Sequence, residues 1–234
     1  MKKIIIGFIL LPLIIFATGV MFVLVGGGLN SMFKKDSGVS TAENKTQPQT
    51  EKTDVPSAQA PNITQVTKPA ISYAITYYDV SGLTKDEIKA NMTQARKGTF
   101  LEGHNGATTA EININFKRRQ LADKCETVMD KFDLSLIYTY PRLTSLPSVS
   151  SGIAAAWNTF IAALKVHEEG HAKIEVERAN ILFQKLLSLP EYKTCEEFDQ
   201  TYDVATNTHE EETKLIGAQY DKDTQGGRLQ GISF

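Results

Sequence analysis

Hydrophobic positions fall along the chain in three regimes. The first is an unbroken apolar run from Ile4 to about Leu29, preceded by Lys2 and Lys3. A bilayer-crossing helix needs about 20 apolar residues, whereas a secretory signal has an apolar region of roughly 7–15. Residues 1–29 therefore predict an uncleaved transmembrane signal anchor, although Gly26-Gly27-Gly28 offers a place where cleavage would be tolerated. The short N-terminal stub favours an inside N-terminus, which puts the rest of the chain in the periplasm or extracellular space. The second regime, residues 30–68, is rich in Ser, Thr, Gln, Lys and Pro and nearly free of large apolar residues. Such a stretch cannot bury enough surface to offset its ordering entropy. It predicts a disordered linker that supplies reach from the membrane.

The third regime, residues 69–234, is patterned for folding. Ile71, Tyr73, Ile75 and Tyr77 alternate with Ser72, Ala74 and Thr76, Ile112, Ile114 and Phe116 alternate again, and a third apolar run, Phe132 to Tyr140, carries Leu134, Leu136 and Tyr138 on one face. A period of two predicts three strands, the last ended by Pro141 and Pro147. Between the first two, Thr84 followed by Glu87 predicts a capping box and a short helix to about Ala95. A glycine-rich loop, Gly98–Gly106, follows. After Pro147 the spacing lengthens. Ala156, Phe160, Ala163, His167, His171 and Ile174 recur at helical intervals, predicting a long helix from Ser150 or Ser151 to about Leu187. A last helix is expected from Cys195 to about Asp221. Strands first and helices afterwards predict an α+β fold: a small antiparallel sheet, then a long helix and a C-terminal helix. Trp157, Phe160 and Leu164 read as core, and Tyr73 and Tyr77 as sheet-face residues.

Composition and charge add mainly exclusions. Lys and Arg number 25 against 27 Asp and Glu, so no basic excess points to nucleic acid. Cys125 and Cys195 are the only cysteines, and in a translocated domain an even count reads as one disulfide. Neither lies in a CxxC, so a redox motif or a cysteine-rich metal site is not supported.

The chemistry concentrates in His167-Glu168-Glu169-Gly170-His171. Residues four apart share one helix face, with Cβ atoms about 5–6 Å apart, so two imidazoles can converge on one ion. Zinc suits nitrogen ligands. Glu168 stands where an H-E-x-x-H peptidase keeps its general base. A catalytic zinc takes a third protein ligand, and this is not legible in the motif. The extended pattern with a downstream glycine and histidine is absent, because Ile174 and Glu177 occupy those places. Asp221 and His209 on the last helix, the neighbouring Glu210 and Glu211, and His104 in the glycine-rich loop remain open. That loop could border a pocket, but a plain surface turn is the simpler reading.

Several stretches together resemble the DUF922 family of exported bacterial proteins, described as predicted zinc-dependent proteases. They are Tyr78-Asp79-Val80-Ser81-Gly82, Cys125, Tyr140-Pro141, Trp157, the His167–His171 segment, Cys195, Tyr220-Asp221-Lys222-Asp223-Thr224 and Gln230-Gly231. The resemblance covers about Ser72 to Phe234. It implies a zincin-like helix and supports the disulfide. One departure stands out: relatives commonly read Y-D-x-x-T-x-H-G near the C-terminus, and here Gly226 takes the place of that histidine.

These readings lead to an expected membrane-tethered zinc metallopeptidase. It would act on a peptide or protein substrate, with Glu168 as base and His167 and His171 as ligands. Two alternatives stay open. One is a non-catalytic binding or scaffolding domain with a degenerate metal site, which Gly226 favours. The other is a different zinc-dependent amide hydrolase acting on the cell envelope.

Overall fold

The computed structural model describes residues 2–7 and 64–234. The first described element is a strand, β1 (Lys2–Gly7). Three longer strands form the sheet proper: β2 (Ala70–Val80), β3 (Ala107–Gln120) and β4 (Cys125–Leu143). β3 and β4 are a long antiparallel hairpin, closed where Leu121 N–H donates to the Lys124 carbonyl at 2.8 Å. β1 lies antiparallel along the outer edge of β3, with Ile4 opposite Ile112. The rest of the expected anchor, like residues 30–63 of the expected linker, lies outside the described residues. No helix among the described residues is long and apolar enough to cross a membrane.

The sheet is mixed rather than antiparallel, because β2 runs parallel to β4, with Tyr77 opposite Tyr140. The reason is the connection. After β2 the chain forms α1 (Lys85–Arg96) and the glycine-rich loop before entering β3. β3 starts opposite Thr139, at the end of the sheet where β2 finishes. The crossover leaves a gap one strand wide, and β4 returns into it alongside β2. Proline fails to end β4, which continues through Pro141 to Leu143. β3 pairs only as far as Thr139, so beyond that point β4 has a neighbour on one side only. A missing N–H there removes no ladder bond. The Thr84–Glu87 capping box forms as expected.

Two antiparallel helices cover one face. α2 (Ser151–Leu187) has 37 residues and starts where the Ser150 side chain accepts from Ile153 N–H. α3 (Cys195–Thr224) has 30 residues and opens with a capping box between Thr194 and Glu197. Its first residue is tied to β4 by the Cys125–Cys195 disulfide, with Cα atoms 4.9 Å apart. The expected disulfide is therefore formed.

The core is divided along α2. Trp157, Phe160 and Leu164 pack with Val80, Ile88, Met92, Tyr140 and Leu143 around α1. Ala172, Ala179, Leu182, Phe183 and Leu186 pack on Ile112, Met129, Phe132, Leu134 and Leu136 of the sheet. Full burial of one such large side chain is worth about 1.5–3 kcal/mol. The two clusters anchor α2 on either side of residues 167–171, so the turn between them can be polar without loosening the helix.

Candidate metal centre

His167 and His171 lie one turn apart on α2 and point toward α3. Their Nε2 atoms approach the same oxygen, Oδ1 of Asp221, at 3.1 and 3.0 Å. One ligand atom from each of the three residues lies within 4.8 Å of the other two. Both histidines are only 5% exposed. Two imidazole nitrogens and a carboxylate oxygen around a common point are a donor set suited to zinc. Their convergence in a nearly dry position is the observation that the residues fit such an ion.

Of the sequence candidates for the third position, the structure brings only Asp221 to the two histidines. His209 lies about three turns back along α3. It is buried beside Arg178, and neither ring nitrogen has a hydrogen-bond partner. Glu210 pairs with Lys214 instead. Gly226 lines the cleft outside the triad.

The imidazole of His167 is oriented by a relay. Tyr220 Oη donates to the His167 carbonyl oxygen at 3.2 Å, an acceptor that offers no proton in return. The Tyr220 oxygen must then accept from Gln230 Nε2, at 2.9 Å. That fixes the Gln230 amide, so its Oε1 accepts from His167 Nδ1 at 2.9 Å. With Nδ1 as donor, the lone pair of a neutral His167 ring belongs to Nε2, the atom facing Asp221. Such outer partners typically set ligand orientation and basicity in metal sites.

Electrostatics inside the cluster are strongly coupled. Burial opposes charge on Asp221, but hydrogen bonds from His167 and His171 outweigh it and hold its carboxyl far below the usual range. Burial likewise opposes charge on His167, yet the bonds to Asp221 and Gln230 and the nearby Glu168 raise its pKa. A cation arriving at this point would replace ring protons, because the metal-binding form of histidine is neutral.

Glu168 is 3% exposed and turns toward the sheet. Thr108 Oγ1 of β3 lies 2.9 Å from its carbonyl oxygen and 3.0 Å from Oε2, so one hydroxyl holds both its backbone and its carboxylate. Burial pushes its pKa up, partly offset by His171, Thr108 and His167.

Two glycines allow the close approach. A Cβ on Gly170 would fall 2.0 Å from Tyr220 Oη. One on Gly227, at φ 81°, would meet Ile232 at 2.2 Å and the His167 ring at 3.0 Å. The triad opens to a cleft of about 360 Å³ lined by the glycine-rich loop, His167, Glu168, Asp221 and Lys222. The loop thus borders the site and is not a plain surface turn. Thr108, Tyr220 and Gln230 carry no chemical signal at the sequence level. Tyr220 and Gln230 stand out only as part of the family resemblance, and Thr108 not at all.

No curated protein and no solved structure matches this chain. A family model described as bacterial protein of unknown function, DUF922, matches residues 75–227. That span holds the second half of β2, all of β3 and β4, Glu168, both histidines and Asp221, and the chain belongs to the DUF922 family.

Proposed function

We propose that this domain is a zinc-dependent hydrolase of peptide bonds that works outside the cytoplasm. The observation that carries the proposal is the meeting of His167 Nε2, His171 Nε2 and Asp221 Oδ1 at one buried point, with the Glu168 carboxylate on the next helical position. Zinc, when bound, supplies Lewis acidity that polarises a carbonyl and makes water a better nucleophile. Every other part comes from the chain. His167, held by Gln230, and His171 and Asp221 supply the ligand atoms. Glu168, fastened by Thr108, accepts a proton from the attacking water and passes it to the departing nitrogen as the C–N bond breaks.

Delivery outside the cytoplasm is supported by the disulfide, which persists in oxidising compartments, and by the apolar segment Ile4–Leu29. The domain would act at the membrane if that segment is retained. The same centre would serve a cell-wall amide as well as a protein, since Lewis-acid activation of water suits either.

The test is made on the full chain. Elemental analysis is expected to find one zinc per chain, and the metal-loaded protein to cleave denatured casein or cell-wall peptides in a chelator-sensitive way. Glu168→Gln should keep the zinc and lose at least 100-fold in rate. Zinc binding without hydrolysis of either substrate would favour a non-catalytic metal site. Hydrolysis undiminished in Glu168→Gln would remove the mechanism.

A further inference from the structure

One more ionisable side chain faces the same cavity. His104 lies in the loop between α1 and β3. It lines the open cleft and also the small cavity of about 30 Å³ bounded by His167, Glu168, His171 and Asp221. It is not one of the three residues whose ligand atoms lie within 4.8 Å of one another, so it stands beyond the ligand set while sharing its space. Among the described residues its ring has no hydrogen-bond partner.

The backbone that presents this ring is fastened at several points. Arg96 Nη1 donates to the His104 carbonyl oxygen and, at 2.8 Å, to Asn105 Oδ1. Tyr78 Oη donates to the Asn105 carbonyl oxygen at 2.8 Å, and His104 N–H donates to the Leu101 carbonyl at 2.9 Å. Arg96 is itself braced by a bond from Nε to the Met92 carbonyl at 2.9 Å. An idle surface turn does not need a guanidinium and a phenol to hold two consecutive residues. A donor held in advance, next to the place where charge develops, is what transition-state stabilisation requires.

We infer that His104 is a further catalytic residue of this centre. Its ring N–H donates to the oxyanion that develops when water adds to the substrate carbonyl. The inference rests on the hydrolase reading above. Glu168 moves the proton, and His104 keeps its own. The oxyanion's electron pair re-forms the C=O bond as the C–N pair leaves with the nitrogen, which takes the proton from Glu168, so the hydrogen bond from His104 strengthens and relaxes without net proton transfer.

The test uses the zinc-loaded full chain and inorganic phosphate, a tetrahedral oxyanion, as probe. Calorimetric titration compares wild type with His104→Ala and with His104→Gln, which keeps an N–H donor. His104→Ala is expected to hold one zinc, to unfold at the wild-type urea midpoint, and to bind phosphate about tenfold or more weakly. His104→Gln should recover part of that loss. Turnover of a cleaved peptide should fall about 100-fold or more in kcat with little change in KM. Equal phosphate affinity in wild type and His104→Ala overturns the inference and leaves the hydrolase reading intact. Loss of zinc from His104→Ala overturns it by making His104 a ligand. Absence of zinc from the wild type overturns the hydrolase reading and this inference with it.

Discussion

Gly170→Ala is a change that helix propensity and the structure judge in opposite ways. Within a helix, alanine is favoured over glycine by about 1 kcal/mol. At this position the new methyl would sit 2.0 Å from Tyr220 Oη and 2.3 Å from the ring carbon bearing it. Tyr220 cannot keep its place. It would have to give up the bond to the His167 carbonyl, the bond from Gln230 and its stacking on His167, whose ring centroid lies 5.2 Å away. Overpacking costs typically 1–3 kcal/mol, and two hydrogen bonds are worth about 1 kcal/mol each. The clash therefore wins, and Gly170→Ala is expected to lose about 2–4 kcal/mol net. Zinc affinity should drop as well, by about 10–100-fold, because the relay that orients His167 is broken. Urea unfolding of the metal-free chain gives the first number, and competition with a colorimetric chelator gives the second. Tyr220→Ala in the Gly170→Ala background removes the clash, so it should recover stability but not zinc affinity. If Gly170→Ala is as stable as wild type and binds zinc equally well, the account of helix packing at this centre is wrong.

Other expectations can be measured on the same protein. The two cysteines are 70 residues apart in sequence, a loop whose closure entropy corresponds to about 4 kcal/mol. Reduction, or Cys125→Ser with Cys195→Ser, should lower the urea unfolding free energy by up to that amount. Glu175 is fully buried with neither oxygen partnered, and burial pushes its pKa up to about 7. The folded state thus keeps a proton that the unfolded chain releases near pH 4.5. The associated stability, about 3 kcal/mol, is present below that pH and lost as pH rises through about 7. His209 behaves in the opposite sense. Burial, then Arg178, lowers its pKa to about 4, so stability falls as pH drops from about 6.5 toward 4. The two slopes oppose each other between about pH 4.5 and 6.5. Glu175→Gln removes the contribution that falls with pH, so its stability should rise more steeply with pH there than that of wild type. An unchanged profile in that variant would mean Glu175 is not the titrating group.

The sequence reveals this centre in proportion to how local each part is. His167, Glu168 and His171 are legible because their relation depends only on the helix period, which the flanking apolar residues from Ala156 to Ile174 already announce. The helical ends of α1 and α2 are legible for the same reason, since Thr84 and Ser150 cap within a few residues of themselves. The sheet is harder. Period two marks strands but carries no direction, so nothing in Ile71–Tyr77 shows that it runs parallel to β4. That depends on where α1 and the loop return the chain. Thr108 is hidden by the same ignorance of register, and the loop carrying His104 looks like a turn until α1 and β2 are placed around it.

The third position of the cluster shows why residue type alone does not decide. By residue type Asp221 and His209 are both fit partners for two histidines, so chemistry alone does not choose between them. α2 and α3 are antiparallel, however, with Arg178 paired to Glu212 and His171 to Asp221. Each step toward the C-terminus of α3 moves back along α2, so His209 is carried past Arg178 and away from the centre. The register also bears on Gly226. The histidine seen in relatives at that place would follow α3, in the turn entered through the left-handed Gln225. Gly226 itself has φ 61°, with open space where a Cβ would stand. Asp221 reaches the two imidazoles from the helix, without that turn. A glycine at position 226 therefore leaves the convergence of His167, His171 and Asp221 whole and widens the cleft beside it.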